Sequence, residues 1–67
     1  MREWLKTIRL KRGLTMLALS SKLDISESYY SMIESGGRRP SVETAQKIAD
    51  ELKFNWTRFF KEEKEVS

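Results

Sequence analysis

Neither cysteine nor histidine occurs among the 67 residues, and the chain has one proline and three glycines. The missing cysteines exclude disulfides and thiolate metal sites. The missing histidines remove the commonest general base and the commonest metal ligand. No metal or other cofactor is expected, and a reducing cytoplasm is the natural compartment. No apolar run approaches the ~20 residues of a membrane span. The first residues alternate charged and apolar side chains, unlike a secretion signal, so no membrane association is expected either. Strand signals, internal repeats and a second domain are all lacking.

What remains is one small, basic domain. A chain of this length buries only about 60% of its unfolded surface, and 39% apolar residues suffice for a small core. The net charge is +3, and its distribution says more than its size. Arg2, Lys6, Arg9, Lys11 and Arg12 crowd the first twelve residues against Glu3 alone, and Arg38 and Arg39 form a second basic spot. The last twenty residues carry four basic and five acidic groups, so they are no nucleic-acid arm.

The chain is organised around Thr15 to Glu34. Leu19 and Leu23 stand four apart, and Tyr30 and Ile33 three apart, each pair on one helix face. Asp24-Ile25-Ser26 joins the two runs. An apolar Ile25 has little reason to sit in a connector unless it plugs the gap between helices. Ser20 is small enough for two helix axes to cross closely. Thr15 and Ser26 each precede a run, where a hydroxyl can accept from an early backbone N–H. Helix, tight turn, helix in so small a chain is most often used to lay the second helix in the major groove of DNA.

Around this unit, residues 2–12 read as a first helix with Leu5 and Ile8 inward, stopped by Gly13. The second helix runs from Met16 to Leu23 and leaves Leu17 outside the apolar pattern. The third runs from about Glu27 to Glu34, with Tyr30, Ile33 and Glu34 inward and Ser28, Ser31, Met32 and Ser35 outward. Gly36 can take the left-handed cap. Arg39 is pushed extended by Pro40. Ser41 caps a fourth helix, Val42 to Lys53, with Val42, Ala45, Ile48, Ala49 and Leu52 as its apolar stripe. Phe54, Trp56, Phe59 and Phe60 fall within seven residues, in a turn and short fifth helix. The first three complete the core, and Phe60 is left to seed a dimer contact. Residues 1–60 are thus the domain, and 61–67 a charged tail.

The order and spacing of Arg9, Gly13-Leu14-Thr15, Leu19, Leu23, Ile25-Ser26, Tyr30, Ile33-Glu34, Gly36, Arg39-Pro40-Ser41 and Phe54-Asn55-Trp56 resemble the helix-turn-helix of lambda-repressor-like (Cro/XRE-type) regulators. The likeness runs from about Leu5 to Phe60. It implies an all-α, compact five-helix bundle. It also implies a structural ion pair between Arg9 and Glu34, which read alone are two charges that water could solvate separately. Three positions depart from the family: Met16 stands for its Gln, Ser20 for Ala and Asp24 for Gly. A thioether cannot replace the DNA contact of that Gln, although the backbone N–H groups at the start of the second helix still can hold a phosphate.

The expected partner is double-stranded DNA, bound by a homodimer across two half-sites. The resemblance implies transcriptional regulation, often repression and often from phage or mobile elements. Base edges would be read by Glu27, Ser28, Ser31 and Met32. Met16, Lys22, Ser26, Tyr29, Arg38 and Arg39 would touch the DNA backbone. Tyr29 has a second reading, in which its ring extends the core. The acidic balance of Thr15–Glu34 and the loss of Gln at Met16 support the alternative of a protein-interaction module with weak DNA binding. An enzyme is a poor reading, since a Ser or Lys nucleophile would need a buried pocket that this core cannot spare.

Overall fold

The computed structural model describes residues 1–61. Helices α1 (Glu3–Lys11), α2 (Met16–Leu23), α3 (Glu27–Ser35) and α4 (Val42–Leu52) are followed by a short α5 at residues 58–61. Among the described residues there is no strand. Of the tail expected at 61–67, only Lys61 lies within the described residues.

Side-chain hydroxyls start three of the helices. Thr15 Oγ1 accepts from Ala18 N at 3.0 Å, Ser26 Oγ from Tyr29 N at 3.0 Å and Ser41 Oγ from Thr44 N at 3.2 Å. Each such cap stabilises its helix by about 1 kcal/mol. The start of α1 differs. Arg2 was expected inside this helix but leaves it to donate its backbone N–H to Glu34 O at 2.9 Å.

All four long helices stop in the same way. A left-handed residue follows the last turn, and the next N–H reaches back five residues, which satisfies a carbonyl the helix would otherwise leave open. The left-handed residues are Gly13, Asp24, Gly36 and Lys53. The returning bonds run from Leu14 N to Arg9 O, Ile25 N to Ser20 O, Gly37 N to Met32 O and Phe54 N to Ala49 O, at 3.3, 3.0, 2.9 and 3.0 Å. In three of the four the returning residue is apolar. Leu14, Ile25 and Phe54 are each half-buried against the core, so the same geometry that ends a helix delivers a hydrophobic side chain to the next packing layer. This also corrects the end of α4: Lys53 is its left-handed stop and not its last helical residue.

Leu5, Leu19, Leu23, Tyr30, Ile33, Ala45, Ile48, Leu52 and Phe59 form the buried core. Ser20 on α2 is almost fully buried and donates to Leu17 O at 3.0 Å. Trp4, Phe54 and Phe59 form an aromatic triangle with centroids 5.2–5.7 Å apart. It ties α1 to the C-terminal segment and adds directional contact to the area buried. Val42 departs from its expected place in the core. The inward face of α4 begins at Thr44 and Ala45, and Val42, two and three residues earlier, is turned away from it and 51% exposed. Phe54 and Trp56 are only half-buried, while Phe59 is fully enclosed.

Candidate nucleic-acid interface

The back of α3 is fixed before its front can be considered. Tyr30 and Ile33 are fully buried and Glu34 is 3% exposed. Arg9 Nε and Nη2 donate to Glu34 Oε2 and Oε1 at 2.8 and 3.0 Å, a bidentate pair between α1 and α3. Arg9 Nη1 also donates to Leu14 O at 2.8 Å, and the Tyr30 hydroxyl donates to Glu34 Oε2 at 2.8 Å. The hydrogen bond to Glu34 raises the Arg9 pKa further above its ordinary value, against the lowering effect of burial. Burial, and then the bond to Glu34, push the Tyr30 phenol far above its usual range. No buried side-chain nitrogen or oxygen among the described residues lacks a partner. A charge pair this dry holds the helix only because every one of its bonds is made.

Tyr30's hydroxyl is the member of this network that sequence reasoning missed. Its spacing of four from Glu34 on the same helix face was the available signal. Arg2 was missed as well. Its guanidinium Nη1 donates to Ile33 O and, at 3.1 Å, to Arg38 O, and the group lies 5.7 Å from the Phe59 ring centroid. Arg2 therefore closes the C-terminal end of α3 and pins the following loop. No periodicity in the sequence points to that role.

The front of α3 is small and polar. Glu27, Ser28 and Ser35 are exposed, Met32 is 43% exposed and Ser31 is half-buried. Ser35 Oγ donates to Met32 O at 3.1 Å, so its proton is engaged within the helix. Beside this face, the Arg38 guanidinium lies 5.5 Å from the centroid of the half-buried Tyr29 ring. Arg39 is exposed next to the buried Pro40. Ser26 is exposed and uses its oxygen as the α3 cap. Met16 opens α2 half-buried against the core, whereas Leu17 is 62% exposed. Lys22 Nζ stands 4.0 Å from Glu51 Oε2 on α4. Phe60 is half-buried and packs edge-on to Trp56 at 5.8 Å, in an apolar groove shared with Val42, Thr57 and Lys61.

Among the described residues no group of acidic side chains is arranged to hold a metal ion, and no helix is long and apolar enough to cross a membrane. A helix clamped from behind, joined by a tight turn to the helix before it and presenting a small polar front, defines a helix-turn-helix domain. Residues 5–59 match the helix-turn-helix family, and the chain belongs to its lambda-repressor-like (Cro/XRE-type) branch. It is similar to the uncharacterized HTH-type transcriptional regulator YqaF of Bacillus subtilis (strain 168), with 45% identity over 62 residues that cover 92% of this chain and 82% of that protein. No solved structure gives a significant match.

Proposed function

We propose that this chain is a transcriptional regulator that binds double-stranded DNA sequence-specifically, as a homodimer, with α3 in the major groove, and represses by occupying its operator. The observation that carries this reading is the division of α3 into a clamped back (Tyr30, Ile33, Glu34) and an exposed front (Glu27, Ser28, Met32, with Ser31 at its edge). A recognition helix needs such a division, since base edges are read only by side chains that stand clear of the fold. Glu27, Ser28, Ser31 and Met32 read bases. Arg38, Arg39, Ser26 and the backbone N–H groups at Met16 hold phosphates, and the Tyr29 ring serves the DNA backbone by seating Arg38. Lys22, drawn toward Glu51, contributes least.

One unit reaches only a few base pairs. Two units on half-sites about one helical turn apart multiply their affinities. The apolar groove of Val42, Trp56 and Phe60 is the surface we assign to the second copy. The same groove also supports the competing reading, a protein-interaction module with weak DNA binding. Selection from a random duplex library at two salt concentrations separates them. A regulator enriches a two-fold symmetric site and loses affinity steeply with salt. An interaction module enriches nothing.

A further inference from the structure

We infer that α3 reads its half-site through pyrimidine edges, setting Met32 against a thymine methyl and the Glu27 carboxylate against the N4 amino group of a cytosine. The inference rests on the DNA-binding reading above and names what that reading leaves open, the class of base recognised.

The argument is one of matching donors and acceptors. In the major groove guanine offers two acceptors, N7 and O6, and its usual partner is a forked or multiple donor, Arg or Lys. Adenine offers an acceptor beside a donor, and its usual partner is the amide of Asn or Gln. From Glu27 to Ser35 there is no Arg, Lys, Asn or Gln. The front of α3 therefore has no side chain suited to bidentate purine recognition.

What it does have is selective. A carboxylate only accepts. Cytosine presents N4–H with no acceptor on its own major-groove edge, whereas adenine's N6–H lies beside the N7 lone pair, which repels a carboxylate. Glu27 thus favours cytosine over adenine and disfavours guanine outright. Met32 leaves a large apolar side chain 43% exposed on a face that is otherwise serine and glutamate. The one apolar group on the major-groove edges is the thymine methyl. Among the serines, Ser35 has its proton engaged by Met32 O and Ser31 is half-buried. Ser28 alone stands fully clear, and a hydroxyl accommodates several bases without choosing strongly. The nearby Arg38 belongs to the loop after α3, and its guanidinium lies over the Tyr29 ring at the side of the helix, where we place the sugar–phosphate contact.

The test uses the whole chain and the duplex it selects. Replacing each thymine of the half-site in turn by uracil removes one methyl. One position should then lose about fourfold in affinity, the value of burying a single methyl group. Met32→Ala should abolish that thymine–uracil difference, and Met32→Leu, which keeps an apolar contact, should retain it. Glu27→Gln should shift the preferred base at one position from cytosine to adenine, a gain of preference that a merely structural residue would not give. Replacing guanines beneath α3 by 7-deazaguanine should leave affinity unchanged. Uracil tolerated at every position, or a tenfold loss with 7-deazaguanine under α3, overturns the inference while DNA binding stands. Absence of salt-dependent binding by the unaltered chain overturns the DNA-binding reading itself. Circular dichroism of each variant establishes that it is folded before its binding is read.

Discussion

The Arg38 guanidinium lies 5.5 Å from the centre of the Tyr29 ring, and the Arg38 carbonyl accepts from Arg2 Nη1 at 3.1 Å. One basic loop residue is thus held at both its backbone and its side chain. The ring face attracts the cation and removes part of the entropy a long arginine would otherwise lose on meeting a phosphate. The guanidinium can still donate through its edges while its flat face is occupied.

Tyr29 should therefore act on DNA through its ring and not its hydroxyl. Tyr29→Phe is expected to bind like the parent. Tyr29→Leu should bind all sequences about two- to fivefold more weakly. Arg38→Ala should flatten the dependence of log affinity on log salt by about one unit. Fluorescence anisotropy titrations over a salt series measure all three. A loss in Tyr29→Phe equal to that in Tyr29→Leu would assign the contact to the hydroxyl instead.

The Arg9–Glu34 pair should behave as a buried pair. Glu34→Ala leaves the Arg9 cation dry and unpaired and should cost about 3–5 kcal/mol. That is a large share of the 5–15 kcal/mol typical of a folded domain. Replacing both by apolar residues, Arg9→Met with Glu34→Leu, should cost less than the sum of the single changes. Urea unfolding of the four proteins completes the cycle, and additive losses would mean that the two charges do not interact.

Alkaline stability should depend on Tyr30. Its phenol is neutral when protonated, and its folded pKa is raised by burial and by Glu34 from an ordinary value near 10. Its contribution is complete below about pH 10, where folded and unfolded chains are both protonated. Above that the unfolded chain alone ionises, and the contribution falls as pH rises. Tyr30→Phe should lose about 2 kcal/mol at neutral pH, the value of a hydrogen bond to a charged group, and show a shallower decline above pH 10. Thermal melts from pH 7 to 11 compare the slopes; parallel slopes would contradict the assignment.

Two of the four left-handed helix stops lack glycine. Asp24 has φ 59° and Lys53 φ 63°, a region in which a Cβ is strained. Asp24→Gly and Lys53→Gly should each stabilise the fold by about 0.5–1 kcal/mol, less what glycine gains in the unfolded chain. Gly13→Ala should destabilise it by a similar amount. A Cβ at Gly13 meets nothing within 4 Å, so the cost comes from φ +72° alone. Differential scanning calorimetry reads each shift.

Much of this arrangement was legible in the sequence. The caps at Thr15, Ser26 and Ser41 follow from a hydroxyl placed before an apolar period, and the inward set Tyr30, Ile33 and Glu34 follows from 100° per residue. Ile25 was readable as a plug, because an apolar residue in a turn needs a place to go. The Arg9–Glu34 pair came from family resemblance; charges 25 positions apart carry no local signal. The apolar stripe does not mark where α4 stops, and the left-handed turn falls on Lys53, a residue with no glycine or asparagine to signal it. Val42 fits the stripe but stands at its edge, half exposed beside Trp56 and Phe60, a fact that periodicity does not encode. Arg2 bonds carbonyls more than thirty residues away, and composition shows only that it is basic.

The amino end has a practical consequence. Met1 N and Cα lie 3.4 and 3.6 Å from where a Cβ on Gly36 would stand, beside the loop that carries Arg38. Any polypeptide fused ahead of Met1 would emerge at the tip of α3. A purification handle placed there would add its own charge and bulk beside the loop that carries Arg38, so affinities from such a fusion should be compared with the cleaved protein before they are ascribed to this chain.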